Sequence, residues 1–402
     1  MSAAYLLSRK HEVWLFERET RLGGHTHTHS IGTSRGPRAI DTGFIVHNDR
    51  TYPNLVRLFA ELGVERQKSE MSFGVTDARS GMEYSSRGLA GFFATRRNLF
   101  RAAHYRLLLE IARFNRESTR VMEQGVALEK TLGEYLREYS FSEDFARLYL
   151  YPMAAAVWST SLDQIEEFPA TTLLRFFLNH GLLTLNGHPQ WYVVKGGSSA
   201  YIDPLTAPYR DRIVTGAAIR SVCPGQYSRT IHFEDGTVQN FDEVVFACHA
   251  PQALLLIGDA SETEHAVLGC FRTNENVAAL HTDAALLPKA PAARASWNYY
   301  LGRQSSAPTL TYHMNRLQSL DTPEDYCVTL NDAGVINRKT LLREITYFHP
   351  LFTLDAERAQ QRWAEVSGVR HMHFCGAYWF YGFHEDGLNS AIRVAKSLGV
   401  DW

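Results

Sequence analysis

No stretch of the 402-residue chain approaches the apolar run that a membrane-spanning helix needs. Charge of neither sign is in excess: 41 Lys and Arg face 43 Asp and Glu, for a net charge of -2. There is thus no basic field to recruit nucleic acid. Cysteine is scarce and scattered, and Cys223, Cys248, Cys270, Cys327 and Cys375 form no C-x-x-C pair. Metal-thiolate sites and a disulfide framework are disfavoured, and a reducing, cytoplasmic setting fits best. The apolar residues at the start are broken by Arg9, Lys10 and Glu12, without a basic n-region or cleavage site, so a signal peptide is not expected. Repeats, low-complexity tracts and a nucleophile–His–acid set are also lacking. So is a glycine-rich phosphate loop in the place where one belongs.

That place is set by what is there. Residues 1–17, MSAAYLLSRKHEVWLFE, read as a helix over 2–8, a turn, and a buried strand over 12–17 ending in an acid. An acid there can accept hydrogen bonds from the ribose of an adenine dinucleotide. The glycine fingerprint lies about twenty residues before such an acid. Counting back from Glu17 puts it ahead of residue 1. The expectation is therefore that Met1 is an internal methionine or misassigned start, with an apolar strand and G-x-G-x-x-G encoded upstream. Arg21-Leu22-Gly23-Gly24 follows, where paired glycines permit close backbone approach and Arg21 can pair with phosphate.

Further along, 40–46 reads as a short strand and 52–62 as an amphipathic helix closed by Gly63. Residues 88–185 are helical in pattern, with Leu107, Leu108, Ile111 and Phe114 on one face. Their Arg-rich polar faces read mainly as solvated, with anionic head groups or acyl-carrier surfaces as the sharper reading. Residues 213–222, 230–233 and 243–247 read as strands, with a hairpin turn at Glu234-Asp235-Gly236. Residues 278–281, 309–314 and 326–330 suggest a second sheet, 372–375 a last buried strand, and 388–398 a final helix. Nucleotide-type strands at both ends and in the middle imply a discontinuous cofactor domain with an inserted substrate domain. The abundant aromatics (22 Phe, 19 Tyr, 7 Trp) suit either a large core or an apolar ligand tunnel.

The array Glu17, Arg21, Gly23, Gly24 resembles the second flavin motif of the amine oxidase/phytoene desaturase superfamily of FAD-dependent oxidoreductases. FDEVVFACHA at 241–250, with Ala247 at the strand end, is similar to the strand that ends beside the dinucleotide there. Lys195-Gly196-Gly197-Ser198 resembles the paired-glycine element that these flavoproteins carry near the middle of the sequence. Phe374-Cys375-Gly376 with Gly387-Leu388-Asn389-Ser390-Ala391 resembles the closing motif, in which a helix N-terminus faces the flavin. RLGGHTHT, IDTGFIVHN, FPA, WYVVKGGSSAY, ASWNYY, TYHMNRLQ, FHPLF and GFHEDGL look like a bacterial subgroup of flavin-containing amine oxidoreductases, similar to the flavoprotein half of plant cyclopropane fatty acid synthases. One departure is Ala377, where many members carry an acid that holds the ribityl chain; Asp386 or Glu385 stands near in sequence to take over.

The resemblance implies an α/β fold: a discontinuous Rossmann-like FAD-binding domain (1–70, 190–260, 360–402) with an inserted α+β substrate domain, helical and mixed-sheet (71–189, 261–359). It implies FAD, held by Glu17, Arg21, Gly23, Gly24, Gly43, Phe44, Ala247, Gly376, Asp386, Gly387 and Leu388. Asp41, Gly43, Phe44 and His47 look like the loop that crosses the flavin ring, with Phe44 as its apolar ceiling. For His384-Glu385-Asp386 two readings stand: a helix start capped by Asp386, or proton handling by His384 and Glu385, with His384 the better base on its ordinary pKa. His25, His27 and His29 would share one strand face, but no acid or cysteine completes a metal site. Lys195 reads as a surface lysine. The expected activity is hydride transfer from a substrate C–H bond to flavin, on a fatty-acyl or other apolar lipid. The alternatives are a flavin amine oxidase and a non-catalytic partner of a lipid-modifying methyltransferase. No nucleic-acid partner is expected. Peripheral association with the inner membrane or with such a methyltransferase is left open, as is the oligomeric state.

Overall fold

The computed structural model describes all residues except 126, 127, 185, 186, 227, 303–308 and 333. The helix Ser2–Leu7 buries Ala3, Leu6 and Leu7, and the following strand is Leu15–Glu17. That strand pairs in parallel with Ile213–Thr215. A second parallel pair, Val244–Phe246 with Met372–Phe374, stacks Phe246 on Phe374 at 5.2 Å. Neither Leu15–Glu17 nor Met372–Phe374 has a further strand partner among the described residues. A meander of Ile219–Pro224, Arg229–Phe233 and Val238–Phe241 packs Phe233 and Phe241 on the ring of Phe16. Its expected hairpin turn forms, with Gly236 at φ +86° and the Asp235 carboxylate accepting from the Thr237 N–H at 2.9 Å.

The second sheet has seven strands, in the order Leu341–Leu351, Arg272–His281, Cys327–Leu330, Thr309–His313, Trp297–Leu301, Phe73–Asp77, Met82–Ser85. Three of these were legible in sequence. Leu341–Leu351 was not, because it is an edge strand and carries Arg343, Glu344 and Pro350, which an edge tolerates. Helices from Gly88–Phe92 to Ala170–Asn179 cover the helical stretch read from sequence, whose end at Leu185 lies outside the described residues. The longest, Ala102–Glu123, buries Leu107, Ile111, Phe114 and Val121 at helical spacing.

Several expectations shift. The strand read over 12–17 is shorter, Leu15–Glu17, and that over 213–222 is two strands in different sheets, Ile213–Thr215 and Ile219–Pro224. The single strand over 40–46 is two strands, Gly36–Asp41 and Val46–Asn48, separated by a crossing loop at 42–45. The final helix is His384–Ser397, four residues longer at its start, which brings Gly387 inside it. One apolar core gathers Leu6, Phe246, Phe374 and Val394; another gathers Phe114, Tyr135, Phe168 and Val328. Asp41 ties the parts together. It is fully buried and accepts from Thr28 Oγ1, the Ser198 N–H and hydroxyl, and Gln318 Nε2. Burial nevertheless pushes its carboxyl up to about 6.

Candidate active site

Two backbone segments cross at the site. Gly23, at φ +117°, makes the turn in which the Thr26 N–H reaches the Gly23 carbonyl at 2.9 Å. Within that turn His25 presents its carbonyl to the Phe44 N–H at 2.7 Å. Gly43 lies against it so closely that a Cβ there would stand 2.1 Å from the His25 oxygen. Phe44 then stacks on His384, ring centroids 3.8 Å apart, while His384 Nε2 meets Thr26 Oγ1 at 3.1 Å. Thr26 Oγ1 also bonds the buried Tyr201 hydroxyl.

The closing strand and helix are joined by one serine. Ser390 Oγ accepts from the Gly376 N–H at 2.8 Å and donates to the Gly387 carbonyl at 2.7 Å. The acids of the helix start take structural positions. Asp386 accepts from the Phe383 N–H at 2.9 Å, capping its own helix, and burial with Glu385 beside it pushes its carboxyl up to about 7. Glu385 accepts from the N–H groups of Asn54 and Leu55 at 3.0 and 2.8 Å, so it caps the neighbouring helix Pro53–Glu61. His384 is held neutral: burial, with His47 beside it, lowers its imidazole to about 3. That removes the pKa ground on which the sequence favours it as a base.

These elements wall a cavity of about 1370 Å³. Gly23, Gly24, Gly43, Phe44, Ala247 and Gly376 line it, as do His384, Gly387 and Leu388. Four expected residues are not among its lining: Glu17, Arg21, Glu385 and Asp386. Glu17 accepts from the Glu19 N–H at 2.9 Å, and Arg21 donates to the Gly24 carbonyl at 2.8 Å, bracing the glycine turn. Lys195 pairs with Glu65 on the surface. His25, His27 and His29 do not share a strand, because pairing begins only at Thr28. His27 and His29 sit 4.1 Å apart, whereas His25 turns toward Tyr347, His349 and His249. Among the described residues no group of three or more His, Cys, Asp and Glu is arranged for a metal ion.

Sequence reasoning missed Thr26, Tyr201, His249 and His349. All four line the cavity. His249 and His349 sit inside the segments FDEVVFACHA and FHPLF, but nothing local shows that strand ends from two sheets converge. His349 is lowered to about 4 by burial, and His249 is lowered for the same reason.

The cavity fits the flavin dinucleotide that the motifs imply. A Cβ on Gly24 or Gly387 would meet no atom within 4 Å, so both backbones face open space. His25 Nε2 is buried with no hydrogen-bond partner among the described residues. The first turn of the last helix, at Gly387-Leu388, points its partial positive charge into the same space. Gly387→Ala separates the fold from the ligand. In the flavin-free protein it should raise stability by about 0.5–1 kcal/mol, since alanine outranks glycine inside a helix. It should also weaken FAD retention by about tenfold, because the methyl group fills cofactor space. Thermal melting and FAD titration read the two effects, and unchanged FAD affinity would contradict the placement.

The likeness to solved structures spans nearly the whole chain. A CLA-producing fatty acid isomerase from P. acnes superposes with a TM-score of 0.70 at 13% identity, over 98% of this chain and 95% of that one. Cyclohexylamine oxidase from Brevibacterium oxydans IH-35A gives 0.68 at 13% identity, over 99% and 97%. Putrescine oxidase bound to putrescine gives 0.68 at 13%, over 99% and 95%. At such identity these show the fold. No curated protein matches the sequence. The profile of the flavin containing amine oxidoreductases matches residues 1–272. That span holds the strand-end acid, the paired glycines and the crossing loop, and the chain accordingly belongs to the flavin-containing amine oxidoreductase family, as an FAD-dependent oxidoreductase.

Proposed function

We propose that the enzyme oxidises an uncharged, largely apolar acyl lipid: one substrate C–H bond delivers hydride to the flavin, the adjacent carbon gives up a proton to a neutral imidazole of the cavity wall, and the electron pair left behind forms the new C=C bond. One observation carries this reading: among the described residues the cavity lining contains no Asp, Glu, Lys or Arg. Away from Gly23, Gly24, Gly43 and Gly376 its wall includes Tyr84, Phe92, Ile111, Met153, Val157 and Trp158, with uncharged polar side chains such as Asn115 and Gln190. An alkylammonium ion there would lose its water and find no carboxylate, and a free carboxylate would meet no guanidinium or lysine ammonium. The His349 and His384 imidazoles do not supply a charge, since burial keeps both neutral at physiological pH. An acyl ester carries no such penalty, and each buried methylene contributes about 0.8 kcal/mol. The fatty acid isomerase among the structural neighbours is consistent with an acyl chain in this fold.

The flavin, when bound, accepts the hydride. The protein's part is to position the acyl chain along the aromatic wall, to exclude water, and to keep uncharged hydrogen-bonding groups beside the reacting carbons. Asn276 Nδ2 lies 3.0 Å from His349 Nδ1 and donates to it, so the neutral ring carries its proton on Nε2. Anaerobic mixing tests the substrate class. Uncharged acyl esters should bleach the absorbance of the FAD-reconstituted protein, and primary amines should not. Bleaching by amines alone would overturn the lipid reading.

A further inference from the structure

The cavity reaches the surface at a face whose chemistry is distinct from the rest of the molecule. Leu89 lines the cavity and is also 75% exposed, so one opening lies beside it. In the segments that follow it Phe100 is 88% and Leu109 69% exposed, with Leu99 and Tyr105 also outward. These residues come from the helix Gly88–Phe92, the turn Arg96–Phe100 and the first half of Ala102–Glu123. They are held in place. His104 stacks on Phe92 at 4.1 Å and bonds its carbonyl at 2.7 Å. Asn98 Nδ2 donates to the Glu83 carbonyl at 2.8 Å, and the Tyr105 hydroxyl to the Leu99 carbonyl at 3.0 Å. Tyr105 and Leu109 are four residues apart on one helix and share a face.

The same segment is strongly cationic. Between Glu83 and Glu110 the sequence holds Arg87, Arg96, Arg97, Arg101 and Arg106 and no acidic residue. Arg87 pairs with Glu70, and Arg101 donates to the Ser80 carbonyl. Arg96, Arg97 and Arg106 are exposed and have no ion pair among the described residues. A patch of contiguous large apolar side chains is unusual on a soluble surface. Arginines interleaved with it, at the mouth of a cavity lined among the described residues without charged side chains, match an anionic bilayer: apolar groups for the acyl layer, guanidinium groups for phosphates. Among the described residues no helix is long and apolar enough to cross a membrane.

We propose that this face docks on an anionic phospholipid bilayer, with Phe100 and Leu109 entering the acyl layer, Arg96, Arg97 and Arg106 against the phosphates, and the cavity mouth beside Leu89 opening onto the lipid. The docking shares the acyl class with the substrate reading but stands on the surface alone.

Sedimentation of the full chain with vesicles tests it. The protein should pellet with vesicles of equal parts phosphatidylglycerol and phosphatidylcholine, less so as salt rises, and not with phosphatidylcholine alone. Replacing Arg96, Arg97 and Arg106 together by alanine should weaken binding by about 100-fold, at roughly a factor of five per arginine. Phe100→Ser with Leu109→Ser should weaken it by at least about tenfold. These side chains are exposed, and unchanged melting of the variants verifies the fold. In a Phe100→Trp variant the new indole emission should shift to the blue with anionic vesicles only. No pelleting, equal pelleting of the variants, or binding to an acidic acyl-carrier protein without vesicle affinity would overturn the proposal. Pelleting with no flavin bleaching by acyl esters would remove the substrate reading and leave the docking. Bleaching without pelleting would do the reverse.

Discussion

Gly43→Ala should strip the protein of flavin and lower its stability by about 2–4 kcal/mol. The added Cβ would stand 2.1 Å from the oxygen and 2.9 Å from the carbon of the His25 carbonyl. Both are backbone atoms, so no rotamer change relieves the clash. The two segments are clamped on either side of the contact, by Phe44 N–H to His25 at 2.7 Å and Thr42 N–H to His27 at 3.0 Å. Asp41, just upstream, is itself buried and anchored by four donor groups, which hold it in place. The strain must therefore separate the crossing and displace Phe44 from His384, and with it the Thr26–Tyr201 bond at the cavity wall. Flavin absorbance per protein after reconstitution, with urea denaturation of the same samples, measures both effects. Full flavin content at an unchanged midpoint would refute this account of the crossing.

Acid should unfold the protein over an unusually mild range. Burial lowers His47, His180 and His349 to about 4 and His384 to about 3, and carries His25 well below its ordinary value. Their unfolded values lie near 6.5, so unfolding takes up protons as pH falls from there toward 4, and the stability present above 6.5 is progressively lost. Two carboxyls act in the opposite sense. Asp41 and Asp386 are raised to about 6 and 7, so near pH 5 they are protonated in the fold and ionised in the unfolded state. These five imidazoles against the two carboxyls leave a net uptake of about three protons, or a fall of about 4 kcal/mol per pH unit near pH 5, and the other lowered imidazoles, His27 and His249 among them, add to it in the same direction. Against a total of about 5–15 kcal/mol for a folded domain, the loss accumulated by pH 4, on the order of 10 kcal/mol, removes a large part of the stability. Thermal midpoints measured from pH 7.5 downward check this; a flat profile between pH 7 and 5 would show that these imidazoles protonate within the fold.

Several features of the site were legible because they are written in local chemistry. Paired glycines at 23 and 24, glycines at 43 and 376, and the helical turn at Gly387-Leu388 are demands for close backbone approach, and all of them line the cavity. The roles of the charged groups were not legible in the same way. Glu385 looks like a catalytic acid in one dimension, yet it caps the helix Pro53–Glu61, more than three hundred positions earlier in the sequence. His384 has an ordinary imidazole pKa only while it is in water; enclosed by Phe44 and Thr26 it stays neutral.

The family, the cavity-lining glycines and the mixed α/β character of the chain follow from the order of residues alone. They do so because turn geometry, strand periodicity and helix starts depend on neighbours a few residues apart. Folding in three dimensions was needed to establish which titratable groups face the cavity, that no charged side chain lines it among the described residues, and that an exposed apolar, arginine-rich face lies at its mouth. Those properties depend on burial and on contacts between segments hundreds of residues apart, and burial is what sets both the pKa of an imidazole and the cost of placing a charge beside it.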